Sequence, residues 1–149
     1  MCGIFGITEK NPYIISKLIS KSSHRGPDGS SIWSNDYLTL GHNLLSITSN
    51  PKDGAQPYIT KKNNVLTYNG EIFNYNKLLK KFKNDFNSKT SCDTELLGWL
   101  LDNFSYKRVI CELIDSMHSF VFFNKETNEI VLSRDHVGIK PLYFSEINS

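Results

Sequence analysis

Two consecutive apolar helix faces stand in the middle of this chain, with strand-length apolar runs on both sides of them. Tyr75, Leu78, Leu79, Phe82 and Phe86 recur at helical spacing on one face of a helix that Asn74 can cap. Leu96, Leu97, Leu100, Leu101 and Phe104 form the second face, with Asp93 and Glu95 in its first turn, where the helix dipole favours negative charge. Upstream, residues 2–7 read as a strand and 12–22 as an amphipathic helix that opens on Asn11-Pro12 and carries Ile15, Leu18 and Ile19. Strands follow at 30–34 and 38–47, and Val65-Leu66-Thr67-Tyr68 reads as a strand ending at Asn69-Gly70, a dipeptide suited to tight turns. Downstream, Phe120–Phe123 and Glu129–Ser133 predict a hairpin across Lys125–Asn128. Runs of strands segregated from runs of helices predict an α+β fold rather than a parallel α/β sheet.

A length of 149 residues suits one domain, 1–149, with chain enough to bury a core. Seventeen basic against fifteen acidic residues leave a net charge of +2, too small an excess for a nucleic-acid binder. The nine glycines are never adjacent, two apart or five apart, which excludes Walker A and G-x-G-x-x-G phosphate loops. The longest apolar run, Leu96-Leu97-Gly98-Trp99-Leu100-Leu101, is far below the ~18 residues that span a bilayer. The start lacks the basic region of a signal peptide, and Cys2, Cys92 and Cys111 are an odd number. Free thiols in a reducing, cytoplasmic compartment follow as the expectation. The cysteine spacing fits no zinc motif and the four histidines are scattered, so neither metal nor cofactor is expected.

Chemistry concentrates at few positions. Removal of Met1 would leave Cys2 with both a thiol and a free α-amine, whose ordinary pKa of ~7.7–8.0 suits it to accept the thiol proton. A chain can also begin Met-Cys by chance. Gly3 and Gly6 would let a substrate approach a nucleophile closely, or are packing glycines of a crowded strand. In Asn69-Gly70-Glu71, a side-chain amide beside a backbone N–H can make an oxyanion hole, with Glu71 holding a substrate ammonium; the plainer reading is a bare turn. Asp93 is a helix cap or a receptor for an ammonium. Cys92 reads as a buried or half-buried free thiol and Cys111 as a core residue.

Six stretches in order carry a resemblance: Met1-Cys2-Gly3-Ile4-Phe5-Gly6-Ile7, His24-Arg25-Gly26-Pro27-Asp28, Gly54-Ala55-Gln56-Pro57, Tyr68-Asn69-Gly70-Glu71-Ile72-Phe73-Asn74, Cys92-Asp93-Thr94-Glu95, and Arg134-Asp135-His136-Val137-Gly138-Ile139-Lys140-Pro141-Leu142-Tyr143. The chain resembles the class II glutamine amidotransferases, in particular the glutaminase domain of asparagine synthetase. The resemblance implies an N-terminal-nucleophile hydrolase fold, a four-layer αββα sandwich of two antiparallel sheets with helices outside. It implies hydrolysis of glutamine to glutamate and ammonia, with Cys2 as nucleophile, its α-amine as base, and Asn69 and the Gly70 N–H holding the oxyanion. Glu71 and Asp93 would meet the α-amino group of glutamine, and the backbone around Ile47 would line its pocket. Arg25 and Arg134-Asp135 would tie loops together.

The departures are as informative. The family usually carries an arginine for the glutamine carboxylate two residues after the histidine that here is His42; Leu44 stands in its place. Ser49 stands where the branch tends to carry an aspartate. The chain also stops short of the usual end of the glutaminase fold, which can leave the last sheet incomplete, and lacks the ATP-dependent synthetase domain, expected on another chain or missing from this one. The leading expectation is a glutaminase of the asparagine-synthetase type with neither nucleic-acid nor membrane partner. The alternatives are an impaired or non-catalytic amidotransferase-like module, favoured by Leu44, and an amidohydrolase of an amide lacking a carboxylate.

Overall fold

The structure, a computed structural model, describes residues 1–46 and 51–146. Strand β1 (Gly3–Ile7) leads to helix α1 (Pro12–Lys21), then β2 (Gly29–Ser34) and β3 (Thr39–Leu44). A short β4 (Tyr58–Ile59) precedes β5 (Val65–Ile72), α2 (Tyr75–Lys81), α3 (Asp93–Asn103) and α4 (Tyr106–Arg108). The hairpin of β6 (Ser116–Asn124) and β7 (Glu129–Arg134) follows. Two antiparallel sheets result, in the orders β1-β3-β2 and β4-β5-β6-β7. The α+β sandwich expected from the sequence is the architecture found. Helix α1 packs on the outer face of the first sheet, α3 on the second, and β1 and β3 meet β5 between the sheets.

Side-chain alternation along the strands sorts the core into two layers. Leu66, Tyr68, Phe120 and Phe122 face outward and are covered by Leu96, Leu97 and Leu100 of α3 and Leu78 of α2. Val65, Val121 and Phe123 face inward against Leu38 and Leu40. Around Val65–Leu66 and Phe120–Phe123, β5 and β6 are therefore apolar on both faces, and burying each such side chain contributes about 1.5–3 kcal/mol. On the other side of the first sheet, Gly41 lets α1 approach closely: a Cβ there would lie 2.3 Å from Ile15 Cγ2.

Several boundaries differ from the sequence reading. Asn69-Gly70 is not a turn: β5 runs through it to Ile72, pairing Asn69 with Ser119 and Gly70 with His118. The ladder outweighs the local turn preference, and glycine is needed because a Cβ at Gly70 would sit 2.4 Å from the Met117 carbonyl oxygen. Of the strand read as 38–47, the structure shows Thr39–Leu44 as strand, and Ile47 lies outside the described residues. Asn11 caps α1 as expected, its side chain accepting from the Ile14 N–H at 3.1 Å. Asn74 stands at the N-cap of α2 as expected, but its side chain makes no capping bond: its amide donates to the Leu113 carbonyl (2.8 Å) and accepts from the Asp115 N–H (3.0 Å), pinning the approach to β6. α2 stops at Lys81, yet Phe82 and Phe86 reach the core through the turn that follows. Cys111 is exposed rather than buried, because it lies in a π-helical turn (Val109–Leu113) whose inward residues are Val109 and Leu113.

Polar groups also lie between the sheets. His42 is 1% exposed, and among the described residues its Nε2, Thr67 Oγ1 and Ser119 Oγ have no hydrogen-bond partner. Burial holds the His42 pKa down at about 4, against a smaller opposing pull from the Tyr68 backbone. The unfolded chain therefore takes up a proton below about pH 6.5 that the folded chain refuses until about pH 4. Stability contributed by neutral His42 is full above 6.5 and falls across that window by roughly 3 kcal/mol. Denaturant unfolding at pH 7 and pH 4 should show this loss in the native chain and a flatter profile in His42→Gln; equal slopes would mean that the histidine is not the titrating group.

Candidate active site

The free edge of β5 organises the site. β4 pairs with Val65 and Leu66, and beyond Leu66 that edge has no neighbouring strand among the described residues. Strand N–H groups alternate between the two edges. The Tyr68 N–H donates to Gln56 Oε1 at 2.6 Å, and the Ile72 N–H donates to Asp93 Oδ2 at 3.1 Å. Gly70 lies midway, so its N–H points off the same edge, away from β6 and into a cavity of about 140 Å3 that Gly70 lines. That volume is below the ~300–1,000 Å3 of drug-sized pockets and suits a small molecule.

Cys2 lines the same cavity from the first sheet. Its sulfur accepts from the Leu45 N–H at 3.4 Å and lies 3.7 Å from the Leu45 carbonyl oxygen. The loop 24–28 holds this arrangement. The Asp28 N–H donates to the Leu44 carbonyl (3.0 Å), Asp28 Oδ2 accepts from the Ser46 N–H (2.7 Å), and Arg25 Nη2 reaches the Cys2 carbonyl at 3.5 Å. Gly26 is wedged so tightly that a Cβ would stand 2.5 Å from the Asn43 carbonyl group. Met1 also lines the cavity, over the place where a freed α-amine would stand.

Asn69, Glu71 and Asp93 line it from the second sheet and α3. The buried Asn69 amide makes no side-chain hydrogen bond among the described residues, so its donor is available to a ligand. Asp93 sits just inside the N-terminus of α3, but its carboxylate turns to the Tyr68 hydroxyl (3.0 Å) and the Ile72 N–H instead of capping. Burial pushes its pKa up; those two donors pull it down, and the Glu71 charge adds to the rise. Cys92 is half-buried, as expected, and burial raises its thiol pKa, which disfavours the thiolate. Leu44 is 8% exposed and presents an apolar side chain to the cavity. Of the candidates read from the sequence, Cys2, Leu44, Asn69, Gly70, Glu71 and Asp93 thus gather around one cavity. Ile47 and Ser49 lie outside the described residues.

Three contributors carried no role in the sequence reading. Gln56 accepts from Tyr68 and donates to Thr94 Oγ1 at 3.3 Å, bridging β5 to α3. Tyr68 orients Asp93 through its hydroxyl. Lys140 also lines the cavity. Their motif blocks were visible, but nothing in the spacing says which side chains meet. The last block is clasped by Asp135, which accepts from the N–H groups of His118, Ile139 and Lys140 at 2.9–3.1 Å. Burial alone would raise the Asp135 pKa; these bonds and that of Gly138 outweigh it and hold the group down at about 2. Among the described residues no cluster of side chains could hold a metal, and no helix is long and apolar enough to cross a membrane.

Residues 1–149 match the family model of the glutamine amidotransferase domain. Over 96% of its length the chain is 34% identical to asparagine synthetase B [glutamine-hydrolyzing] of Escherichia coli (strain K12). It is 35% identical, again over 96%, to the asparagine synthetase [glutamine-hydrolyzing] of Zea mays, and 31% to asparagine synthetase [glutamine-hydrolyzing] 1 of Arabidopsis thaliana. The chain spans about a quarter of the length of these relatives: 26% of the first and 25% of the other two.

The Tyr68–Asp93 bond generates a test. Since the hydroxyl favours the ionised carboxylate, Tyr68→Phe should raise the Asp93 pKa further, read by NMR titration of the labelled carboxyl carbon. An unmoved titration would mean that the hydroxyl does not donate to it.

Proposed function

The chain belongs to the glutamine amidotransferase family, and from that premise we propose that it hydrolyses the side-chain amide of glutamine, with Cys2 as the nucleophile. The observation that carries the proposal is the convergence of the Cys2 thiol, the Asn69 amide and the Gly70 N–H on one small cavity flanked by Glu71 and Asp93. With Met1 removed, the Cys2 α-amine takes the thiol proton and the sulfur attacks the amide carbon. The tetrahedral oxyanion is held by Asn69 and the Gly70 N–H. The α-amine returns the proton to the leaving nitrogen, the C–N bond breaks, and ammonia departs from a thioester. Water, deprotonated by the same amine, then cleaves the C–S bond and releases glutamate. Glu71 and Asp93 receive the α-ammonium of the substrate throughout.

The names of the relatives support a setting in asparagine synthesis, where ammonia passes to an ATP-dependent synthetase domain beyond this segment or on another chain. Leu44 is the observation behind a second reading. It offers a carboxylate nothing, and so favours an impaired glutaminase, a non-catalytic module, or an amide without a carboxylate as substrate. An ammonia-release assay over a panel of small amides separates these.

Two outcomes test the mechanism. Active protein should lack Met1 by intact mass, and Cys2→Ala should abolish hydrolysis while retaining the fold; activity with Met1 retained would sink the base assignment. Asn69→Ala should lower kcat by about 10²–10³ with little change in KM, because an oxyanion donor acts on the transition state. An effect confined to KM would make Asn69 a binding residue only.

A further inference from the structure

The cavity has an uneven charge pattern. Glu71 and Asp93 line it with carboxylates, while among the described residues the only Lys or Arg side chain lining it is that of Lys140. Lys140 is 8% exposed, and among the described residues its ammonium has neither an ion pair nor a hydrogen bond. The stem of Lys140 is buried while its ammonium keeps some accessible surface, so this cation, beside a cavity that two carboxylate-bearing residues also line, is open to an anion there. The backbone fixes its position firmly. The Lys140 N–H donates to Asp135 Oδ2 at 3.0 Å, the same oxygen accepts from the His118 N–H at 3.1 Å, and His118 pairs with Gly70. Two hydrogen bonds thus tie the segment to His118, the β6 residue opposite Gly70 in the sheet.

We propose that Lys140 receives the α-carboxylate of the substrate, so that the pair Glu71/Asp93 and the single Lys140 together read a zwitterionic α-amino acid. The inference rests on the amide-hydrolase reading of this cavity and deepens it by assigning the group that recognises the carboxylate. Leu44 leaves that role open from the first sheet; Lys140 fills it from the loop after β7. Asp135 is then a positioning residue, acting through the backbone of 138–140.

The test compares L-glutamine with 4-aminobutanamide, which keeps the amide and the amine but lacks the carboxylate. Ammonia release is followed for the Met1-free chain and for Lys140→Met and Lys140→Arg. In Lys140→Met, kcat/KM for L-glutamine should fall roughly thirty- to several-thousand-fold, the cost of leaving one partner of a buried charge pair alone. The value for 4-aminobutanamide should stay within about threefold, which also reports that the variant is folded, and Lys140→Arg should restore most of the preference for glutamine. A parallel fall for both substrates, or no fall for glutamine, overturns the role of Lys140 while leaving glutamine hydrolysis by the native chain intact. If the native chain releases ammonia from neither amide, the hydrolase reading falls, and the inference is decided by calorimetric titration with L-glutamate. Binding that weakens at least thirtyfold in Lys140→Met sustains it; equal affinity, or none in either protein, overturns it.

Discussion

A buried strand edge cannot be left without hydrogen-bond partners, and the edge of β5 beyond Leu66 is where this molecule meets that requirement without another strand. Gln56 answers the Tyr68 N–H and Asp93 answers the Ile72 N–H, each from outside the sheet. The Gly70 N–H between them is left to the cavity. One constraint thereby explains why a loop glutamine, a helix-start aspartate and a strand glycine converge. Gln56 and Asp93 finish the sheet, and what remains is one backbone N–H directed to the cavity. The same geometry forbids a side chain at Gly70, which would collide with the Met117 carbonyl oxygen and the Tyr68 ring.

The first sheet contributes its residues by a different device. Cys2 stands at the start of β1, and the Leu45 backbone that touches its sulfur follows β3 directly. The loop 24–28 clamps both through Asp28, Gly26 and Arg25. The run His24-Arg25-Gly26-Pro27-Asp28 holds the Cys2 backbone and the segment after β3 together. The Asp135 clasp does the same for the segment 138–140 on the other side. Both clasps rely on carboxylates accepting backbone N–H bonds, the shorter and stronger class of hydrogen bond.

Between the sheets, the unpartnered His42 Nε2, Thr67 Oγ1 and Ser119 Oγ show that the layer closest to the cavity is not optimised for apolar packing. Leu38, Leu40, Val65, Val121 and Phe123 supply the apolar part of that layer, and Leu96, Leu97 and Leu100 cover the outer face. The chain thus places its apolar mass away from the site and accepts unsatisfied polar groups near it, a distribution common where a site must remain polar and rigid.

Periodicity determined the element types: the strand runs, the Asn11-Pro12 start of α1 and the two helix faces are local properties, fixed by spacing that each segment carries in itself. The motif blocks in turn marked Cys2, Asn69, Gly70, Glu71 and Asp93 as candidates. Where elements end was not local. Asn69-Gly70 has turn chemistry, yet the β6 ladder carries the strand through it; Asn74 has cap chemistry, yet Leu113 and Asp115 claim its amide; Cys111 was read as core, yet it faces outward from a π-helical turn. Nor could spacing reveal that Tyr68 holds Asp93, that Gln56 bridges to Thr94, or that Lys140 lines the same cavity as Cys2 and Gly70. The sequence by itself determined which segments are strands and helices and marked a set of candidate side chains. Only the tertiary structure decided which of them meet, because a hydrogen bond between distant residues depends on how two sheets close on one another, and no single segment encodes that.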